Sequence, residues 1–224
     1  MASSDLNILY LDNHLIVVFK PAGLLTQSDR TGEPALMDRV REWIKKEYNK
    51  TGNVFLGLVH RLDRPVAGVV LFARTSKAAS RLSKQFREGT PAKTYRAVVR
   101  GVPKEKQATL VHYLRKEKSL KATVFPRETP DAKRAELSYE VTGSVGENAT
   151  LKVMLATGRF HQIRAQLAFI GHPIAGDVKY GASDPLPGGR IALYAHQLVF
   201  DHPISGERTS ITSPEPEGWA QLNT

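Results

Sequence analysis

Nineteen residues, GLVHRLDRPVAGVVLFART from Gly57 to Thr75, constrain the fold more than any other stretch of this chain. An apolar lead-in, Leu58 and Val59, runs into His60, Arg61, Leu62 and Asp63. Arg64 and Pro65 then interrupt regular structure, and Gly68 restarts a strongly apolar run, Val69 to Ala73. The pattern predicts a strand, a charged turn and a second strand. Asp63 stands between two arginines in a turn stiffened by Pro65, and the adjacent cations favour its ionised form. Two readings of it are open: a nucleophile or base held by short backbone elements, or a turn residue that bonds its own backbone beside solvated arginines.

Composition narrows the setting of that turn. A chain of 224 residues is long enough for one sizeable core, so the expectation is a single domain over 1–224, or two subdomains sharing one sheet. With 32 basic and 22 acidic residues the net charge is +10, a balance that suits a polyanionic partner such as nucleic acid. The chain has no cysteine, which removes disulfides, thiol catalysis and cysteine-ligated metals. Its seven histidines include no H-E-x-x-H, so no metal site is expected. MASSDLNILYLDN lacks a basic leader with a long apolar stretch, and no segment reaches the roughly 18 apolar residues of a membrane span. A cytoplasmic protein with no membrane contact is the expectation.

Along the chain, NILYLDNHLIVVFK (7–20) reads as two strands turned at Asp12 and Asn13, followed by a K-P-A-G turn. Residues Thr31 to Glu47 read as a helix with Pro34 in its first turn and an apolar stripe of Leu36, Met37, Val40, Trp43, Ile44 and Tyr48; Trp43 on that stripe reads as core. Thr75 or Ser76 can cap a second helix carrying Ala78, Ala79, Leu82 and Phe86, stopped by Gly89, with Lys77, Arg81, Lys84 and Arg87 on its other face. Pro91 to Arg100 alternates as a strand, with Tyr95, Ala97 and Val99 on one side. Residues 104 to 118 show no clear period and read as an irregular connection. Strand-like runs follow at Lys121 to Arg127, Ala135 to Thr142, Thr150 to Ala156 and Ile191 to Phe200. The architecture this implies is α+β, a largely antiparallel mixed sheet with packed helices.

The second informative segment is TGRFHQIRAQLAFIGHPIAGDVKYG, Thr157 to Gly181. It reads as a helix begun after Gly158 with the stripe Phe160, Ile163, Leu167 and Ile170, closed by Gly171. His161 and Arg164 would share one face of it, with Arg159 and Gln162 further round.

Together HRLDRPVAG, the KPAG string, K-x-Y at Lys93 to Tyr95, and R-x-H-Q-I-R followed by G-D-x-x-Y-G resemble the RluA-type pseudouridine synthases, which convert uridine in RNA to its C-glycoside isomer. The resemblance runs from about Asn7 to Phe200. It implies the pseudouridine synthase catalytic fold, with Asp63 as the catalytic carboxylate, Tyr95 as the ring that stacks on the target uracil, and Arg164 as the guanidinium that pairs with Asp63. Arg61 would help displace the base, and His60, Arg64, Lys93, Arg159, His161 and Gln162 complete the implied RNA-binding set. The reaction needs no cofactor. RNA, ribosomal or transfer, is the implied partner, met as a single-stranded loop by a monomer that requires no protein partner and has no room for an amino-terminal S4-type domain.

Val66, Ala67, Phe160, Gln166 and Tyr194 depart from the family's usual residues and bear on which RNA is chosen. Two other classes stay open at this point: a non-catalytic RNA-binding module on the same scaffold, and a nucleoside hydrolase using Asp63, for which no partner carboxylate stands at a recognisable spacing.

Overall fold

The computed structural model describes residues 6–29 and 32–222. In chain order the elements are β1 (Ile8–Leu11), β2 (Leu15–Lys20), α1 (Leu36–Glu47), β3 (Gly57–Leu58), β4 (Ala67–Ala73), α2 (Ser76–Glu88), β5 (Ala92–Arg100), β6 (Gln107–Lys116), β7 (Ala122–Phe125), β8 (Lys133–Val145), β9 (Asn148–Leu155), α3 (Gln162–Phe169), β10 (Leu193–Asp201) and β11 (Arg208–Thr212). The α+β class read from the sequence is the one observed. Two compact units divide the chain, the first Met1–Pro91 with Ala195–Pro214, the second Ala92–Tyr194 with Glu215–Thr224.

In the first unit the strand order is β1-β2-β4-β10, with β3 on β4 and β11 on β10. The β1–β2 hairpin turns where Asp12 Oδ1 accepts the backbone N–H groups of His14 and Leu15, each at 2.7 Å. An Asp at this position supplies the turn with side-chain acceptors. All seven residues of β4, AGVVLFA, are buried, as expected of a strand paired on both sides and covered on both faces. Helix α2 begins as read: Thr75 Oγ1 accepts from Ala78 N–H at 3.2 Å, and Gly89 closes it at φ 76°. Its Leu82, fully buried, joins Leu15, Val17, Val69, Leu71, Leu198 and Phe200 in one apolar cluster. Burial of such a side chain contributes roughly 1.5–3 kcal/mol.

Helix α1 starts at Leu36, later than its sequence suggests, and Pro34 precedes it; Thr31 lies outside the described residues. The reason is tertiary. The backbone N–H groups of Leu36 and Met37 donate to the carbonyls of Leu25 and Thr26 (2.8 and 3.1 Å), so the first turn is satisfied from the preceding loop. Trp43 is only half-buried, against Tyr48, which is itself 44% exposed.

In the second unit the order is β5-β9-β8-β6-β7, every neighbouring pair antiparallel. Here the irregular connection expected over 104 to 118 is corrected: Gln107–Lys116 is a ten-residue strand in register with β8 from Gln107↔Glu140 to Leu114↔Lys133. Its alternation is shallow: Ala108, Leu110 and His112 are half-buried and Leu114 buried, while Thr109 and Val111 are exposed, so the period is weak in the sequence and the ladders hold the strand. Strand β8 extends to Val145 by pairing with β9 beyond its buried segment. β11 went unread in the sequence for a like reason, having Ile211 as its only buried residue.

Candidate active site

The first unit holds the Asp63 turn from several sides. Thr26, 4% exposed, grips the backbone of Leu62: its hydroxyl donates to Leu62 O at 2.9 Å and accepts from Leu62 N–H at 3.2 Å. A side chain here does the work of a neighbouring strand. Val66 N–H donates to Asp63 O at 3.1 Å and closes the turn, and Gly23 N–H donates to Arg64 O at 2.8 Å.

Lys20 is fully buried at the end of β2, where it pairs with Gly68. Its ammonium donates to the carbonyls of Leu24 (2.7 Å), Pro21 (3.0 Å) and Arg64 (3.2 Å). Burial pushes its pKa down to about 7; the charge of Asp63 acts against that shift and that of Arg64 with it. Gly68 is required for a different reason. At φ 122° it lies so close to β10 that a Cβ would stand 2.2 Å from Ala195 O.

Two members of the implied RNA-binding set have partners within this unit. His60 accepts the Leu71 N–H on Nε2 at 2.9 Å and stacks on Phe86 at 4.9 Å, which ties the motif to β4 and α2. Arg64 grips Glu33 with both Nη atoms (3.1 and 2.7 Å) and donates from Nε to Gly23 O at 3.0 Å. Asp63 itself is half-buried and Arg61 is exposed.

In the second unit α3 is shorter than its sequence suggests and buried nearly all round: Gln162, Ile163, Arg164, Ala165, Gln166 and Leu167 are all covered. Arg159, Phe160 and His161 precede it, so His161 and Arg164 do not share a helical face. His161 is the residue before the helix, at φ 53°.

Arg164 forms a buried, two-pronged ion pair with Asp177: Nε to Oδ2 at 2.7 Å and Nη2 to Oδ1 at 2.9 Å, the side chains 6% and 1% exposed. Its guanidinium also lies 5.1 Å from the centre of the Tyr180 ring. The Tyr180 hydroxyl accepts the Ala122 N–H at 2.7 Å and shares a hydrogen bond with His161 Nδ1 at 2.9 Å. Burial first, then the charges of Arg164 and Lys179, push the His161 pKa down to about 3, so the ring is neutral.

Gln162, of the same implied set, is buried among partners. Its Oε1 accepts from Thr157 Oγ1 (2.8 Å) and Arg159 N–H (2.9 Å), its Nε2 donates to Glu136 O (3.0 Å), and 3% of it is exposed. Arg159 is exposed and donates from Nε to Arg134 O at 2.9 Å. Tyr95 is half-buried on β5, in register with Val153. Lys93 is half-buried two residues earlier, and burial lowers its pKa.

The departures have structural settings. Val66 and Ala67 are buried, and Gln166 is fully buried, donating towards Leu110 O and Ala135 O at 3.3 and 3.4 Å. Tyr194 is 1% exposed against Trp219, its phenol pushed up to about 12 mainly by burial. Among the described residues no group of His, Asp and Glu could hold a metal ion.

The sequence by itself assigns no role to Thr26, Asp177, Tyr180 or Lys20. A lysine ending the apolar run LIVVF is the signal that marks Lys20 as buried, while Asp177 and Tyr180 are the fixed letters of G-D-x-x-Y-G.

A family model described as RNA pseudouridylate synthase matches residues 14–169, a span that includes Asp63, Tyr95 and Arg164. The chain is 33% identical to tRNA pseudouridine synthase C of Vibrio parahaemolyticus, covering 100% of this chain and 96% of that one. It is 34% identical to the dual-specificity RNA pseudouridine synthase RluA of Pasteurella multocida, over 93% of each. The solved structure of human RNA Pseudouridylate Synthase Domain Containing 4 has the same fold, with TM-score 0.81 at 24% identity, covering 96% of this chain and 91% of that one. That of Domain Containing 1 also shares it, with TM-score 0.75 at 22% identity over 96% and 86%. A match over well over half the chain, together with relatives of a third identity along its whole length, establishes that this chain belongs to the RNA pseudouridylate synthase family and is an RNA-modifying isomerase of that class.

Proposed function

We propose that the chain isomerises a uridine in a single-stranded loop of transfer RNA, with Asp63 as its catalytic carboxylate, and that it works as a cytoplasmic monomer without a protein partner. The observation that carries the reading is that relatives named for tRNA align with the whole chain, HRLDRPVAG included. Ribosomal RNA is the competing substrate, and other relatives are named dual-specificity RNA pseudouridine synthases, so a second RNA class belongs in the test.

In the proposed reaction the N1–C1′ bond breaks, the detached uracil turns, and C5 joins C1′. The proton on C5 leaves to solvent and N1 gains one. Asp63 either attacks C1′ or removes the C2′ proton, and both routes require its ionised form. Tyr95 stacks on the uracil face, a contact of about 1–3 kcal/mol per base. Since a stacked or paired nucleotide hides C1′ and C5, the target is flipped out, with Arg61 as the wedge and exposed basic groups such as Arg159 on the backbone. Arg164 supplies the positive charge that keeps Asp63 ionised.

Tritium release from RNA labelled at uridine C5 tests the reading. Wild type is expected to release tritium from unmodified transfer RNA and Asp63→Asn to release none. Equal release by the variant overturns the role of Asp63, and release from ribosomal RNA alone overturns the substrate. A kcat cycle of Asp63→Glu and Arg164→Lys, with non-additive losses, is expected if the two residues act as a unit.

A further inference from the structure

We propose that the surface made by the end of α1, the loop after it and Arg74 is a second RNA-binding site, an aromatic platform on which an unpaired stretch of the substrate RNA stacks at a distance from the catalytic turn. The proposal uses RNA as the substrate, which the family establishes, and depends neither on which RNA is chosen nor on the role of Asp63.

Three aromatic rings gather on this surface of the first unit. Tyr48 ends α1 with 44% of its surface exposed, and Trp43, half-buried earlier on the helix, meets it edge to face at 6.4 Å. Asn49, at φ 49°, closes the helix: its N–H donates to Lys46 O at 3.4 Å and Lys50 N–H to Lys45 O at 2.9 Å. Tyr48 is therefore presented by a fixed helix end. Phe55, 50% exposed, lies against Gly57, where a Cβ would stand 3.6 Å from its ring. Gly57 pairs with Ala73, and Arg74 follows with its guanidinium 4.7 Å from the centre of the Tyr48 ring. That guanidinium is itself held by the Asp12 carbonyl, and Arg74 N–H donates to His14 O at 2.7 Å.

Charge decides what such a surface fits. From Trp43 to Phe55 the chain carries three lysines, Lys45, Lys46 and Lys50, all exposed, against one acid, Glu47. Lys77, exposed in the first turn of α2, and Arg74 add the same sign. Exposed rings among cations suit bases joined by phosphates, since any base can stack on a ring while the lysines meet the backbone. An apolar protein partner would strip water from these cations without pairing them. Strand β4 sets the platform apart from the catalytic turn: Gly68 stands near the turn at one end and Ala73 near Phe55 at the other, a strand length of about 20 Å. The RNA held there is not the flipped nucleotide but a stretch several nucleotides away, so the platform adds affinity and register to the complex and no chemistry.

The test uses the full chain with Trp219→Phe, which leaves Trp43 as the single tryptophan of the two. Its probes are a labelled oligoadenylate, which has no uridine to engage the catalytic turn, and a G·C RNA duplex of equal length. Expected are a change in Trp43 emission as oligoadenylate saturates, and, in Tyr48→Ala/Phe55→Ala, single-strand affinity weakened by about tenfold or more while duplex affinity stays within about twofold. Equal single-strand affinity in parent and variant, the result a protein-docking surface would give, overturns the proposal. So does an equal loss for both RNAs, which a general charge effect or damaged fold would give. Should the double variant fail to fold, the Trp43 titration of the parent decides: emission unmoved by saturating oligoadenylate overturns the platform, and a saturable change supports it.

Discussion

Replacing Asp177 by Asn should destabilise the second unit by about 3 kcal/mol. Arg164 is 5% exposed, and two of its N–H groups end on the two carboxylate oxygens of Asp177 at 2.7 and 2.9 Å. The substitution keeps the shape but removes the charge and turns one acceptor into a donor that faces another donor. Breaking a buried pair by removing one partner costs about 3–5 kcal/mol, because the remaining ion loses a counter-charge in a poor dielectric. Asn keeps one acceptor, which places it at the low end.

For a chain of this size each kcal/mol moves Tm by about 2–4 °C, so the midpoint should fall by about 6–12 °C. Trp219, packed on Tyr194 in the same unit, reports the transition by fluorescence once Trp43 is changed to Phe, leaving one Trp of the two. In a cycle with Arg164→Gln the double variant should lose less than the sum of the singles by at least about 2 kcal/mol. An Asp177→Asn protein within about 1 kcal/mol of the parent would refute the assignment of Arg164 to a buried charge pair.

Other perturbations follow from the same geometry. Gly68→Ala would place Cβ 2.2 Å from Ala195 O at a φ that L-residues avoid, so soluble expression should collapse or urea stability fall by more than about 3 kcal/mol, and a variant of parental stability would contradict the close approach. Thr26→Val leaves the N–H and carbonyl of Leu62 without their buried partner; a loss of about 1–3 kcal/mol in urea unfolding with a lowered kcat is expected, and an unchanged kcat would separate Thr26 from the Asp63 turn. His161 has a folded pKa near 3, below its unfolded value, so its contribution is complete above about pH 6.5 and declines as pH falls towards 3 while the unfolded chain takes the proton. Unfolding free energies measured from pH 7 to 4 should fall more steeply for wild type than for His161→Gln, and parallel curves would refute a buried neutral ring.

Sequence by itself determined the elements whose apolar period survives in one dimension. The apolar run Val69 to Ala73 reads as a covered strand, Thr75 and Gly89 mark both ends of α2 by local backbone chemistry, and the Asp12–Asn13 turn needs only its own side chain. The family and the identity of Asp63, Tyr95 and Arg164 as candidates were legible for a different reason: their short motifs are fixed strings. What the tertiary structure alone decided is where polar groups go. β6 is a strand because β7 and β8 satisfy its backbone, although only Leu114 among its side chains is fully covered. A linear string shows His60, Arg64 and Gln162 but not their partners, the Leu71 N–H, the Glu33 carboxylate and the Glu136 carbonyl. Asp177 beside Arg164 and Lys20 on the Arg64 carbonyl were hidden for the same reason. Hydrophobic burial follows a local period that a sequence displays, whereas a hydrogen bond or ion pair is chosen by whichever group the completed fold brings within 3 Å.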